Sequence, residues 1–178
     1  MPKNKKQKLL FALMTVIITV HAYVFYSLYV INGSTLMNIN HTNSVLQAIH
    51  QQGGIYMLGN MCPIWLVIIV EFVFAMTLEM ILGQPFSFKI ATKHFDRQTT
   101  HPVLFESVII CVTVFIMCTS MSLIAAFLYY PYYNGFHFLT LIADWIKLMC
   151  YNFPFAFFSQ LFFIQPLVRI LFRLLIRH

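Results

Sequence analysis

Charged residues are scarce in this sequence. Asp, Glu, Lys and Arg make up 9% of the 178 residues, whereas soluble domains carry about 25%. Hydrophobic residues reach 60%, and four apolar runs are long enough to be membrane spans, which need about 20 residues each. Because a water-facing surface can hardly be built from this composition, the sequence predicts an all-α, polytopic integral membrane protein.

Sequence motifs of familiar enzymes are also missing. The four cysteines show no C-x-x-C spacing, so we expect free thiols rather than a redox or zinc site. There is no Gly-rich phosphate loop, nucleophile elbow or zinc-protease signature. The loop residues His41, His50, His137 and Asp144 fit no metal-binding spacing. We therefore expect no enzymatic activity, no cofactor and no metal.

The basic residues cluster between the apolar runs and at the two chain ends, which accounts for most of the net charge of +6. This distribution follows the positive-inside rule, so it predicts that both termini are cytoplasmic. It also predicts the lipid bilayer as partner and excludes a role with nucleic acid. The clusters are Lys3, Lys5, Lys6 and Lys8; Lys89, Lys93 and Arg97; and Arg169, Arg173 and Arg177.

Four transmembrane helices are predicted from the apolar runs. Two loops without Lys or Arg, residues 32–62 and 131–144, are then expected on the outer side. No A-x-A-like cleavage site precedes Asn32, which predicts an uncleaved first span. The helical spacing of arginines in residues 169–177 predicts a segment along the inner interface. The predicted spans are Leu9–Ile31, Pro63–Leu82, Val103–Tyr130 and Trp145–Ile164.

The second and fourth spans resemble each other in sequence. A shift of 81 residues aligns Glu71–Pro85 with Asn152–Pro166 and gives five identities. Glu71 then meets Asn152, and Glu79 meets Gln160. This alignment predicts two tandem hairpins in parallel orientation, residues 1–98 with the longer outer loop and residues 99–178, related by an axis along the membrane normal.

Polar residues inside the predicted spans fall at two heights, given a rise of about 1.5 Å per residue. We expect one layer near the middle of the membrane and one near its cytoplasmic boundary. The middle layer would contain His21, Glu71 and Asn152, and the inner layer Glu79, Glu106 and Gln160.

Two functions are compatible with these layers. Burial favours the neutral form of a carboxyl group, so a buried glutamate is suited to load and release a proton, and a cation would compete for the same group. Glu71, Glu79 and Glu106, assisted by His21, are therefore the proton- or cation-binding candidates. Asn152 and Gln160 are candidates for lining the path. The alternative is that these side chains only hold helices together, at about 0.6 kcal/mol per contact.

The leading hypothesis is a small proton-coupled transporter of small cationic or lipophilic compounds. We expect a homo-oligomer such as a dimer, because four spans enclose little volume. The alternative is a non-catalytic accessory membrane protein that braces a partner complex. Replacing each glutamate with glutamine distinguishes them, because a structural contact tolerates the amide and a proton carrier does not.

The stretch Asp144–Leu175 resembles the bacterial family called domain of unknown function 2798. The resemblance implies a small inner-membrane protein built of helical hairpins, and it implies no established activity. A fainter likeness involves Trp65, Ala75, Glu79 and Pro85. The residues that carry the main resemblance are Trp145, Asn152, Pro154, Ala156, Gln160, Pro166 and Arg169.

The stretch "HPVLFES" (His101–Ser107) resembles the H-A-x-x-F-E pattern of the proteobacterial antimicrobial compound efflux transporters. His101, Phe105 and Glu106 match, and Pro102 replaces the alanine. Those proteins are four-span proton antiporters whose essential glutamate is the last residue of the pattern. The resemblance implies a transport role for Glu106, although the first span has no such motif.

Overall fold

The computed structural model describes residues 4–96 and 99–176, and 83% of the chain is helical. Lys3, Arg97 and Arg177, which belong to the predicted basic clusters, lie outside the described residues. Four helices are long and apolar enough to cross a membrane, which confirms the predicted all-α membrane class. These helices, called spans 1 to 4, are Lys6–Ile31, Ile64–His94, Pro102–Leu128 and Phe138–Leu175.

Spans 2 and 4 are longer than predicted. The prediction ended them at Leu82 and Ile164, where polar residues begin to alternate with apolar ones, but both helices continue for about three turns. They continue because one face remains buried against neighbouring helices, as Ala91 and Phe172 show. Span 4 also begins at Phe138, so the predicted outer loop 131–144 is wrong in its second half.

The arginine-containing end of span 4 packs against span 1. The Phe172 ring meets the Phe11 ring edge-on, with centroids 5.4 Å apart, and Val168 is fully buried. A helix with one apolar face gains more from this packing than from lying apart from the bundle. The predicted interfacial segment is therefore a continuation of span 4.

Three spans contain a π-helical segment, and each ends in a backbone hydrogen bond from residue i to residue i−5. The N–H groups of Asn32, Gln84 and Gln165 donate to the carbonyls of residues 27, 79 and 160. In spans 2 and 4 a proline follows the glutamine at once. Because proline lacks an N–H and its ring crowds the carbonyl four residues earlier, the wider turn accommodates it. The segments are Tyr26–Ile31, Glu79–Gly83 and Ser159–Ile164.

The four spans form an antiparallel bundle in which span 1 touches spans 2 and 4, and span 3 touches the same two. Buried residues of small and medium size recur every four positions along the inner faces, from Ala12 to Val24 on span 1 and from Val114 to Ala126 on span 3. This spacing keeps one face of each helix inward. The large apolar side chains that remain exposed, such as Phe163 at 71%, are suited to lipid contact.

The connection between spans 1 and 2 is structured. It contains two short helices, Gly33–Ile39 and Val45–Gln52, and then an antiparallel β-hairpin with strands Ile55–Met57 and Asn60–Cys62. The Leu58 N–H donates to the Leu128 carbonyl at 2.7 Å, which fixes the hairpin on the end of span 3. The end of the bundle beside this hairpin is called the hairpin end, and the opposite one the terminal end.

Leu141 tests the packing between spans 3 and 4. Its side chain is 1% exposed and packs against Ala126 and Tyr130. Leu141→Ala is expected to lower the free energy of unfolding by about 2 kcal/mol, because the cavity loses packing contacts. Thermal unfolding in detergent micelles measures this. The matched Leu139→Ala variant, at a residue 82% exposed, should unfold like the native protein, and equal losses in both would contradict this packing.

Candidate functional site

An elongated cavity runs through the bundle. Its volume is about 1480 Å³, and all four spans contribute to its lining. It extends from Lys8 and Arg173 at the terminal end to Asn32 and Asp144 at the hairpin end. Pockets for drug-sized ligands enclose about 300–1,000 Å³, so the cavity is large enough for a small organic molecule.

An ion pair lies towards the terminal end of the cavity. Arg169 Nη1 of span 4 is 2.7 Å from Glu106 Oε2 of span 3, and the glutamate side chain is 19% exposed. The sequence analysis placed Glu106 in the inner layer with Glu79 and Gln160, whereas the structure gives it an arginine from another span as its partner. Glu106 is therefore an anchor between spans 3 and 4 as well as a candidate for ion exchange.

Glu79 lies at the midpoint of span 2, since this helix of 31 residues extends to His94. The prediction placed it near the cytoplasmic boundary, because span 2 was expected to end at Leu82. The Gln84 side chain hydrogen-bonds to the Glu79 carboxylate. Gly83 leaves room for that carboxylate, because a Cβ atom at position 83 would lie 2.5 Å from Glu79 Oε2.

Gln160 occupies the corresponding position of span 4. Its Nε2 donates to Thr19 Oγ1 of span 1 at 2.8 Å, and the Thr19 hydroxyl donates to the Thr15 carbonyl at 2.7 Å. The Gln165 side chain donates to Gln160 Oε1 at 3.4 Å, just as Gln84 does to Glu79. Gln160 therefore links spans 1 and 4 beside the cavity, which it lines.

A neutral hydrogen-bonded group lies further towards the hairpin end. Asn152 Nδ2 of span 4 donates to Ser122 Oγ of span 3 at 3.4 Å. Ser122 also hydrogen-bonds to Cys118, which in turn hydrogen-bonds to Tyr23 of span 1. This group joins three spans without a formal charge in its ordinary state.

Glu71 lies nearest the hairpin end of these carboxyl groups. The Tyr129 hydroxyl, at the end of span 3, donates a hydrogen bond to Glu71 Oε1. The same end of spans 2 and 3 is covered by the β-hairpin, whose Met57 packs against Val67 and Leu128. Glu71 is thus held beneath a structured cap.

The two predicted layers are wrong in their grouping. Glu71 and Asn152 bond to Tyr129 and Ser122, which are seven residues apart on span 3, or about 10 Å along a helix. The inner layer fails too, because Glu106 pairs with Arg169 at a different height from Gln160. The contacts form instead a polar column along the cavity, consisting of Glu106–Arg169, Glu79–Gln84, Gln160–Thr19, Asn152–Ser122 and Glu71–Tyr129.

His21 does not belong to the polar column, contrary to its predicted place opposite Glu71. Its side chain is exposed, and its Nδ1 is 2.8 Å from the Ile17 carbonyl of its own helix. His21 shares a stripe with the exposed Ile17 and Phe25, whereas the buried stripe runs from Ala12 to Val24. The helix phase of span 1 therefore turns His21 away from the cavity.

Several partners of the polar column were not predicted as site residues. Thr19 and Ser122 are hydroxyl residues within apolar helices, where threonine and serine often satisfy their own backbone, so they gave little signal. Gln84 offered a stronger one, because the alignment of spans 2 and 4 pairs it with Gln165. Arg169 was interpreted as a topology signal, as part of an interfacial segment and as a carrier of the family resemblance, but not as a site residue.

All four cysteines are free, as expected, and Cys118 is buried. Within residues 4–96 and 99–176, no group of three or more His, Cys, Asp or Glu side chains is placed to hold a metal ion. The polar groups that line the cavity are carboxyl, amide, hydroxyl, guanidinium, ammonium and thiol groups.

These features define a class: a four-span helical membrane protein whose bundle encloses a cavity lined by carboxyl and amide side chains. A family model described as Domain of unknown function (DUF2798) matches residues 102–176. Residues 102–176 thus belong to that family, which confirms the resemblance seen in Asp144–Leu175. No curated protein and no solved structure matches the chain. The resemblance of "HPVLFES" to efflux transporters stays a prediction.

The first hairpin lies outside the matched range, so the tandem repeat stays a prediction. Two structural parallels favour it. The π-helical segments of spans 2 and 4 both end at a Gln-Pro pair. With the same shift of 81 residues, four buried positions of span 2 meet buried positions of span 4. They are Ala75, Gly83, Ser87 and Ala91, which meet Ala156, Ile164, Val168 and Phe172.

The fit between Gly83 and Glu79 can be tested with a double-mutant cycle. Alanine in place of a helix-interior glycine ordinarily stabilises by about 0.5–1 kcal/mol. Gly83→Ala should give this gain only in a Glu79→Ala background, because in the native chain the new Cβ displaces the carboxylate. We expect a coupling of about 1 kcal/mol between the two sites, measured from unfolding in detergent micelles. The same gain in both backgrounds would show that Gly83 does not make room for Glu79.

Proposed function

We propose that this protein is a small proton-coupled transporter of lipophilic organic cations. The observation that carries the proposal is the distribution of charge along the cavity. Its basic lining residues, Lys8, Arg169, Arg173 and Lys147, lie towards the two ends. Along span 4, the described lining residues between Lys147 and Arg169 include no basic side chain, and Glu79 lines the cavity at the midpoint of span 2. A cation entering this middle section would meet the Glu79 carboxylate and no like charge.

Glu79 is the best candidate for the exchange between proton and cation. It lies at the midpoint of span 2, it lines the cavity, and its side chain is hydrogen-bonded to the neutral amide of Gln84. A proton and an organic cation cannot both occupy one carboxylate, so binding of one favours release of the other. This competition is the physical basis of antiport, and it requires no covalent chemistry.

The other two carboxyl groups would mark the ends of the path. Glu71 and Glu79 are eight residues apart on span 2, which is about 12 Å along a helix, so a cation could not contact both at once without being large. Glu106 is neutralised by Arg169 in this structure. Breaking the Glu106–Arg169 ion pair would allow spans 3 and 4 to separate at the terminal end. We propose that the cavity opens there.

The remaining assignments extend the same proposal. The family resemblance supports a bacterial inner membrane as the location, with both termini cytoplasmic as the basic clusters predict.

The sequence predicts a homo-oligomer such as a dimer, on the argument that four spans enclose little volume. A single chain already contains a cavity of about 1480 Å³, so the proposed transport path does not require a second copy.

Binding of tetraphenylphosphonium tests the role of Glu79. The native protein in detergent micelles should bind this cation more tightly at pH 8 than at pH 6, because protons compete for the carboxylate, and binding should release protons. Glu79→Gln is expected to weaken binding at least about tenfold, a loss of about 1.4 kcal/mol, and to remove the pH dependence. Isothermal titration calorimetry in two buffers of different ionisation enthalpy measures both effects.

His21→Gln serves as the matched control, because His21 is polar, lies in a span and points away from the cavity. Its affinity should equal that of the native protein at both pH values. Absence of native binding, or a Glu79→Gln variant that binds as the native protein does, would contradict the transport proposal. The polar column would then serve to hold the helices together, as expected of an accessory membrane protein.

A further inference from the structure

Spans 1 and 4 meet differently in the two halves of the bundle. In the terminal half, the backbone of span 1 lies close to Ser159–Ile164 and Gln165–Ile176 of span 4. In the hairpin half, the two backbones lie further apart, and the contacts described there involve aromatic side chains. This stretch of the boundary, from Tyr23 to Ile31 on span 1 and from Lys147 to Phe155 on span 4, is called the seam.

Three aromatic rings close the seam. Tyr26 stacks on Phe155 with ring centroids 4.0 Å apart and planes within 2°. Tyr23 meets the same Phe155 edge-on at 5.4 Å. The Tyr26 hydroxyl donates to the Tyr151 carbonyl at 3.1 Å. Tyr23 lines the cavity, whereas Tyr26 and Phe155 lie outside its lining, so the wall is about two side chains thick.

The backbone on both sides of this wall has lost regular α-helical hydrogen bonds. Tyr26 begins the π-helical segment Tyr26–Ile31. Phe155 follows Pro154, which lies inside the helix Phe138–Phe158 and has no N–H to donate. Irregular turns of these kinds are common sites of local bending in helices. The Tyr26 and Phe155 rings are therefore attached to irregular stretches of backbone, where a small change of helix geometry would separate them.

The opposite side of the hairpin end is closed more firmly. There the β-hairpin is hydrogen-bonded to span 3 through Leu58 and packs through Met57 on spans 2 and 3. The cavity also reaches the seam, because Ser27 of span 1 and Tyr151 of span 4 both line it. The described contacts across the seam are the two ring contacts of Phe155 and the hydrogen bond from Tyr26 to the Tyr151 carbonyl.

We propose that the seam is the entrance through which a lipophilic cation passes from the bilayer into the cavity, with Tyr26 and Phe155 as the gate. The three rings carry no formal charge, and their faces attract a cation as it leaves the lipid. An organic cation that dissolves in the bilayer would then reach the carboxyl groups without crossing the loops. This proposal rests on the proposed function, and it concerns the route of access to the same cavity.

Cys118 of span 3 provides a reporter on the cavity side of the seam, and its modification does not depend on transport. It is 4% exposed, lines the cavity and hydrogen-bonds to Tyr23. In a chain with the Cys62→Ser, Cys111→Ala and Cys150→Ala replacements, Cys118 is the remaining thiol. Its rate of modification in liposomes is measured with N-phenylmaleimide, which partitions into lipid, and with a charged trimethylammonium methanethiosulfonate, which stays in water.

Phe155→Ala and, separately, Tyr26→Ala should raise the rate with the maleimide about fivefold or more, the factor given by a loss of about 1 kcal/mol from the closed state. The rate with the charged reagent should change by less than about twofold, because the aqueous route is untouched. Phe163→Ala is the matched control on the lipid-facing side of span 4, and both of its rates should equal those of the three-replacement parent. Thermal unfolding identifies any variant that has lost its fold.

Unchanged maleimide rates in folded Phe155→Ala and Tyr26→Ala variants would overturn the seam as an entrance. An equal rise with both reagents would overturn it too, because it would show general loosening open to water. Neither result depends on Glu79 or on cation binding. A seam that opens to lipid in a protein that binds no tetraphenylphosphonium would therefore reject the transport proposal alone, and the seam would remain a route from the bilayer into the cavity.

Discussion

The constraint on which this structure depends is that polar groups inside apolar helices must find their partners within the protein. Lipid offers no hydrogen bonds, and an unpaired group costs several kcal/mol. Among the described residues, every buried side-chain nitrogen or oxygen has a partner. The spans are accordingly rotated so that Glu71, Glu79 and Glu106 face inward. The helix phases, and with them the cavity, follow from this requirement.

The same stretches that hold the polar column also interrupt the regular helix. Glu79 begins one π-helical segment, and Gln160 lies within another. In each case a glutamine five residues later contacts the polar side chain, and a proline follows that glutamine. A widened turn exposes backbone carbonyls and brings the two side chains together. Local chemistry and local deformability are therefore produced by one sequence feature, the Gln-Pro pair.

The two hairpins differ in charge where they correspond in position. Span 2 has glutamates where span 4 has Asn152 and Gln160. The Asn152 and Gln160 amides donate to the hydroxyls of Ser122 and Thr19, and Gln160 accepts a hydrogen bond from Gln165, all without any change of protonation. The carboxyl groups of Glu71 and Glu79 accept hydrogen bonds from Tyr129 and Gln84, and unlike the amides they can also gain or lose a proton. This difference suits a bundle in which span 4 holds its neighbours through neutral hydrogen bonds and span 2 carries the side chains that can change charge.

The sequence by itself determined the membrane class, the number of spans, the free cysteines and the family of the second hairpin, because composition and run length are sufficient for these. It also identified the glutamates and amides, since polar residues are conspicuous in apolar runs. Only the tertiary structure decided which of them meet. Helix phase turned His21 outward, the added length of span 2 moved Glu79 to its middle, and packing across the chain joined Glu106 to Arg169. Such pairings depend on rotation and register between helices, which a single helix does not encode.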